Sequence, residues 1–195
     1  MRQLTRLVLF ARYPIAGECK TRLIPAVGAA GAAKIHRQLT ERTLATLLSA
    51  GCPVTLAYTG ARGEDFSHWL GPAVSLVEQV EGDLTAKLLA ALDPAPVIFF
   101  GADTPDLDWR HVRAAIEGLE NHDVVIGPAE DGGYYLIGLR RAFPELFVCM
   151  PWSTAQVLPE TLMRLDHMHV EPLLLPVLAD CDRPEDLARW PDLVP

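Results

Sequence analysis

No stretch of this 195-residue sequence approaches the roughly 20 consecutive apolar residues of a bilayer span; runs such as LVLFA at 7–11 and VIFFGA at 97–102 stop well short. The basic start, MRQLTRLVLFARYP, has an apolar region cut by Arg12 and no small-residue cleavage site. It does not read as a signal peptide, and the expectation is a cytoplasmic protein without a membrane span. Four cysteines, Cys19, Cys52, Cys149 and Cys181, are scattered without a CxxC pair. That arrangement suggests neither a zinc knuckle nor a disulfide scaffold. The six histidines form no HxxxH or HExxH spacing, and GxSxG, GxGxxG, the Walker A spacing and CxxxCxxC are all missing. Zinc-hydrolase, serine-hydrolase and dinucleotide-redox readings therefore lack support.

Half of the residues are hydrophobic and 22% are charged, with no low-complexity tract. That is the balance of one folded globular domain, taken here as 1–195. A formal charge of −8 argues against nucleic acid as the main partner, because duplex affinity comes from Lys and Arg neutralising phosphates. The charge is unevenly spread. Residues 1–42 hold eight cations (Arg2, Arg6, Arg12, Lys20, Arg22, Lys34, Arg37 and Arg42) against Glu18 and Glu41, so the other 153 residues carry −14. A basic pole on an acidic protein suits a compact anionic ligand such as a nucleotide, and equally describes a solvated helix face.

Apolar periodicity predicts strands at 5–11, 53–58, 73–79, 97–100 and 123–127, with another after Asp131-Gly132-Gly133. Helices are expected at about 28–50, 64–70, 83–92 and 109–120, then from Ser153 or Thr154 to about Asp166, with a short one after Arg183-Pro184. Asp108 and Asp182 read as N-caps for the helices that follow them. Strand and helix alternate, so the expected fold is α/β, a mixed and mostly parallel sheet of six or seven strands. The turn signal at 131–133 marks an antiparallel addition.

Ligands of such sheets bind beyond the carboxyl ends of the strands, where three segments fall. In the loop YPIAGECKTRL at 13–23, Gly17 shapes the backbone, and Lys20 and Arg22 are cations able to grip phosphate, or simply solvated surface charges. In GADTPDL at 101–107, Asp103 follows a buried strand and would need a cation, for which Mg²⁺ is the natural hard-oxygen partner. Asp106 reads more simply as a turn residue. In GPAEDGGYY at 127–135, Asp131, Gly132, Gly133 and Tyr134 suit either a substrate loop or a hairpin turn beside core aromatics.

FARYPIAGECKTRL, GADTPDL, GPAEDGGYYLIGL, PWST and DCDRPEDL, in this order, resemble a bacterial glycosyltransferase-like family once known only as a domain of unknown function. Its members are also called radical-SAM/selenodomain-associated transferase 1 or the arsenosugar-biosynthesis glycosyltransferase type. The resemblance spans nearly the whole chain. It implies a single-domain nucleotide-diphospho-sugar transferase (GT-A-like) fold, a nucleotide-sugar or NTP donor, a small-molecule acceptor and Mg²⁺ or Mn²⁺. A homodimer stays open. By position, Lys20 and Arg22 match the loop expected at the donor phosphates and Asp103 the aspartate expected at the metal. Similarity to wider nucleotidyltransferases adds Asp182 as a second metal ligand. Asp131, with Gly132 and Gly133, matches the substrate-side loop, and Asp131 is a candidate general base. Asp83 and Lys87 lie in a donor-side segment where Thr85 and Lys87 stand in place of the Gly and Arg of the expected pattern.

Overall fold

A computed structural model describes residues 4–72 and 74–194. Its strands are β1 (Arg6–Arg12), β2 (Val54–Thr59), β3 (Ser75–Glu78), β4 (Val97–Phe100), β5 (Val124–Pro128), β6 (Tyr134–Leu139) and β7 (Leu173–Leu174). They form one sheet in the order β3-β2-β1-β4-β6-β5-β7. All neighbours are parallel except β6, which runs antiparallel to β4 and to β5. The Asp131-Gly132-Gly133 turn therefore does open an antiparallel strand. Ala73, in the run read as the third strand, lies outside the described residues, as do residues 1–3 and 195.

Among the described residues, five helices cover the sheet: α1 (Ile24–Leu48), α2 (Gly63–Leu70), α3 (Leu84–Ala91), α4 (Trp109–Gly118) and α5 (Val157–His167). Period-2 alternation sends Leu7, Leu9 and Ala11 of β1 to one face, where they join Leu44 and Leu47 of α1, Phe66 of α2 and Val112 and Ala115 of α4. Val8 goes to the opposite face, with Leu88 of α3 and Leu165 of α5. All four residues of β4 are buried, as expected for a central strand covered on both sides.

Some boundaries differ from the sequence reading for local reasons. α1 begins at Ile24 rather than near 28, because Pro25 starts a turn that Gly28 then breaks at φ 73°, ψ 168°. α5 begins only at Val157: Ser153 is left-handed at φ 63°, and the Thr154 hydroxyl accepts from Gln156 N in a turn ahead of the helix. The C-terminal helix is two 3-10 turns, Pro184–Ala188 and Pro191–Leu193. Asp182 is not the cap of the first; Arg183 holds that position, and the Asp186 carboxylate reaches back to accept from Asp182 N and Arg183 N at 2.9 and 2.7 Å. Asp182 is thereby left free for other work.

Asp108 does cap α4, accepting from Arg110 N and His111 N. Burial pushes its carboxyl up, but those amides and the nearby His111 and Arg110 outweigh it and hold it below the usual aspartate value. The capping contribution is therefore present above the unfolded-state aspartate pKa and is lost as pH falls through the depressed folded one. Asp108→Ala is expected to lower unfolding stability by about 1 kcal/mol at neutral pH, read from the urea midpoint, with the gap to wild type closing in acid.

Candidate functional site

The chain turns back across the sheet between β1, which leads to β2 on one side, and β4, which leads toward β6 on the other. Loops diverge beyond the carboxyl ends of two such strands and leave a crevice. Lys20 sits in the loop after β1 and Asp103 in the loop after β4. The third contributor arrives from far along the chain. After β7, which is parallel to β5, Leu178 N donates to Pro128 O and Glu130 N to Leu178 O, and the segment then delivers Asp180, Cys181 and Asp182. Ala179, Cys181, Leu187, Trp190 and Leu193 bury themselves against Leu23, Ala32, Ile35 and Leu39 at the start of α1.

Three segments are stitched together at the centre. Cys181 N donates to Asp103 O at 2.8 Å. Lys20 Nζ donates to Cys181 O at 2.8 Å and lies 2.7 Å from Asp103 Oδ1 and 2.9 Å from Asp182 Oδ1. Only 4% of the Lys20 side chain is exposed, against 47% for Asp103 and 40% for Asp182. The carboxylates therefore form the open floor of the cleft and the ammonium is sunk between them. Burial disfavours a charged Lys20, but the two carboxylates prevail and hold its pKa above the ordinary lysine value. Asp103, pushed up by burial, is pulled harder the other way by Lys20 and left below the usual range. The sequence reading gave Lys20 to phosphate; in this structure it is the counter-ion of the two aspartates.

Two cavities meet at this point, since Arg22 and Asp182 line both. One, of about 350 Å³, is bounded by Arg12, Cys19, Lys20, Thr21, His36 and Asp103 as well. The other, of about 380 Å³, is bounded by Asp131, Ser153, Thr154, Asp180, Arg183 and Arg189 among others. Gly132 packs against Ala155, which lines the second: a Cβ on Gly132 would stand 2.5 Å from Ala155 O, and its φ of +88° already favours glycine. A larger cavity, of about 450 Å³, lies at the other end of the sheet around Thr5, Cys52 and Pro96, remote from these aspartates.

The remaining sequence candidates take varied places. Gly17, at φ +87°, lets the loop after β1 turn. Asp131 spends one oxygen on Gly133 N at 2.8 Å, the hairpin-turn use, and keeps the other beside the second cavity. Gly133 is part of that turn. Tyr134 faces inward, its ring edge-on to Trp152 and its hydroxyl buried, and burial pushes its pKa up. The residue does not offer its phenol to the cleft. Asp83 caps α3 by accepting from Ala86 N, and Lys87 is half-buried on the same helix; neither lines either cavity. The basic pole disperses in space, with Arg6 bonding Ala91 O and Pro94 O, Arg37 pairing with Glu41 and Arg42 with Asp192. Of its described members, Arg12, Lys20 and Arg22 reach the site.

Sequence reasoning missed Asp180 as a distinct member. Its carboxylate accepts from Thr104 Oγ1 at 2.6 Å, and burial, reinforced by Asp103, Asp131 and Asp182, pushes its pKa up to about 7. It also missed Arg183 and Arg189, which no local signal marks. Thr85 joins two parts of the fold, because its hydroxyl accepts from Trp152 Nε1 at 2.8 Å and donates to Phe147 O at 3.0 Å, tying α3 to the segment that carries Ser153 and Thr154. Thr85→Ala leaves the indole N–H without this partner and is expected to cost about 1 kcal/mol in thermal unfolding; an unchanged melting temperature would refute that role.

Two carboxylates at the cleft, each with one oxygen against the Lys20 ammonium, are of the chemistry a hard divalent cation would take. Asp103 and Asp182 present carboxylate oxygens to one open cleft, and no group of three or more His, Cys, Asp or Glu able to hold a metal occurs among the described residues. Two carboxylates, with water and substrate phosphate completing the shell, are what Mg²⁺ ordinarily takes.

The fold is that of the nucleotide-diphospho-sugar transferase class. A crystal structure from Desulfovibrio desulfuricans G20, provisionally described as a nucleotide-diphospho-sugar transferase, is 32% identical and superposes with a TM-score of 0.87 over 92% of this chain and 82% of that one. Residues 43–154 match the bacterial family described as "Uncharacterized protein conserved in bacteria (DUF2064)", and the chain belongs to that family. More distant structures share the fold. CMP:2-keto-3-deoxy-manno-octonic acid synthetase in complex with CTP is 17% identical, with a TM-score of 0.59 over 98% of each chain. Rv0371c from Mycobacterium tuberculosis H37Rv, in complex with manganese, is 19% identical, with a TM-score of 0.54 over 100% of this chain and 99% of that one. None of the curated proteins matches the chain. Among the described residues, no helix is long and apolar enough to cross a membrane.

Proposed function

We propose that the protein transfers a glycosyl group from a nucleotide-sugar to a small-molecule acceptor, with Mg²⁺ or Mn²⁺ at Asp103 and Asp182. The observation that carries this reading is the placement of the two carboxylates where a cation-lined cavity meets a second, hydroxyl- and acid-lined one. The metal, when bound, supplies a Lewis acid that neutralises the leaving diphosphate. Arg12, Lys20 and Arg22 share that charge from the first cavity, Arg22 with a planar fork and Lys20 as a point charge. Gly17 keeps the loop compact. Asp83 and Lys87, at the same end of the sheet but outside that cavity, are assigned to the donor's outer, nucleoside part. The acceptor enters the second cavity between Asp131, Thr154 and Arg183, against the wall that Gly132 and Gly133 allow. The unspent oxygen of Asp131 takes the acceptor's proton as the bond from the anomeric carbon to the diphosphate breaks. Tyr134 supports this wall from within the core.

The same residues suit nucleotidyl transfer, in which an acceptor oxygen attacks the α-phosphorus of an NTP and releases pyrophosphate. The likeness to a synthetase that binds CTP favours keeping this second reading. A thermal-shift panel of nucleotide-sugars and NTPs, each with and without Mg²⁺ or Mn²⁺, followed by product analysis, tests both. A metal-dependent shift with a nucleotide-sugar and release of nucleoside diphosphate is the expected result. Pyrophosphate from an NTP would replace the first reading by the second, and no shift with any donor would refute both.

A further inference from the structure

The Lys20 ammonium occupies the seat that the proposed reaction gives to a metal. It lies within 3 Å of one oxygen from each aspartate, with Cys181 O as its third partner. A divalent cation binding those oxygens at its usual distance of about 2.1 Å cannot share the seat with an ammonium. Resting on the metal-dependent reading above, we propose that Lys20 is an exchangeable internal counter-ion: it fills the seat between Asp103 and Asp182 in the free protein and turns out into the phosphate cavity when a divalent cation takes those carboxylates.

Three features support the exchange. First, the seat does not need Lys20 to hold its shape, because the backbone bond from Cys181 N to Asp103 O fixes the neighbouring segments and Asp186 pins the amides of Asp182 and Arg183. Second, Lys20 has somewhere to go. It already lines the 350 Å³ cavity, and its flexible stem can swing there about a loop that turns at Gly17. Third, the charge arithmetic favours it: two carboxylates with one ammonium leave the seat at −1, and a divalent ion brings it to neutrality while freeing a cation. That cation enters a cavity where Arg12 and Arg22 already stand, an arrangement that an anionic diphosphate stabilises and that is otherwise repulsive. Metal capture thus arms the phosphate site, and metal and donor reinforce each other's binding.

The chain has only three lysines, Lys20, Lys34 and Lys87, which makes the experiment direct. Wild-type protein is labelled briefly with an amine-reactive N-hydroxysuccinimide ester, with and without saturating Mn²⁺ and without nucleotide, and each lysine is quantified by mass spectrometry. Loss of the free-ion EPR signal reports Mn²⁺ uptake independently. Exposed Lys34 serves as the internal standard. Lys20, with only 4% of its side chain exposed between the carboxylates, is expected to be protected without metal and to gain roughly ten-fold in labelling when metal turns it out into the cavity. Lys34 should not change. Protection of Lys20 while Mn²⁺ is demonstrably bound would overturn the exchange and leave the metal assignment intact. Mn²⁺ uptake only in the presence of a nucleotide would also overturn it, with the proposed function still standing. No uptake under either condition would overturn both. In a second measurement, Lys20→Met is expected to bind Mn²⁺ roughly ten-fold more tightly than wild type, because the competitor is gone. Unchanged or weaker binding would count against the exchange.

Discussion

Replacement of Asp103 by Asn is expected to remove metal-dependent donor binding and to lower turnover by about three orders of magnitude or more, because Lewis-acid and preorganised charge stabilisation of a leaving diphosphate is worth several kcal/mol. The amide keeps the size of the carboxylate, so packing in the loop after β4 changes little. What changes is charge: the seat for a cation keeps only Asp182, and Lys20 loses a partner at 2.7 Å. Removing one member of a fully buried ion pair costs roughly 3–5 kcal/mol, but nearly half of the Asp103 side chain is open to the cleft, so the stability loss should be well below that range. Saturating donor and metal should raise the wild-type melting temperature by roughly 5–10 °C at about a hundred-fold excess over Kd. The D103N variant should show a modest fall of its own baseline and almost none of this rise. A variant that kept the full metal-dependent shift would remove Asp103 from the site.

The second large effect is expected from Gly127→Ala, a substitution inside the sheet. Gly127 lies in β5, and a Cβ there would stand 2.3 Å from the Tyr135 ring, itself buried on β6. Neither sheet backbone nor a packed aromatic ring can yield by that much, so overpacking of about 3 kcal/mol is expected, equivalent to roughly 6–12 °C in melting temperature for a domain of this size. The consequence extends to the site. Tyr135 donates its hydroxyl to Pro176 O at 3.1 Å, and that segment continues to Asp180 and Asp182. Burial, with Asp108 adding, pushes the phenol up to about 12, so it remains a donor throughout the neutral range. G127A should therefore weaken Mn²⁺ binding as well as stability, whereas Tyr135→Phe, which loses only the hydroxyl bond, should cost about 1 kcal/mol. Wild-type stability and metal affinity in G127A would refute this linkage.

The arrangement of the cleft depends on long-range closure. Lys20 and Asp182 are far apart in the chain, yet the ammonium meets both the side chain of Asp182 and the carbonyl of Cys181. That meeting depends on the burial of Leu187, Trp190 and Leu193 against Leu23, Ala32, Ile35 and Leu39, which holds this segment beside the loop after β1. Arg189 reinforces the join by gripping Glu130 with both guanidinium nitrogens. These surface contacts contribute modestly each, but they position one wall of the second cavity.

By itself, the sequence determined the alternation of strands and helices, the central place of Val97–Phe100 and the antiparallel return after Asp131-Gly132-Gly133. Those features are local: apolar periodicity, glycine turns and an aspartate cap act over a few residues and leave a mark that can be read. The ordered motifs also carried the family, and the loops after β1 and β4 could be placed at one end of the sheet by topology alone. Tertiary structure alone decided what each charged side chain does there. Asp182 suits a cap locally, but Arg183 takes that position with Asp186 bonding back to it, and Tyr134 suits a ligand locally, but the sheet turns its phenol inward. Of the seven described cations among residues 1–42, three reach the site: Arg6 sits at the other end of β1, and α1 distributes Lys34, Arg37 and Arg42 around its own axis. The local sequence suits Lys20 to phosphate, and the fold places two carboxylates on either side of it. Pairing of charges is set by proximity in space and by the dielectric around them, neither of which the linear order records.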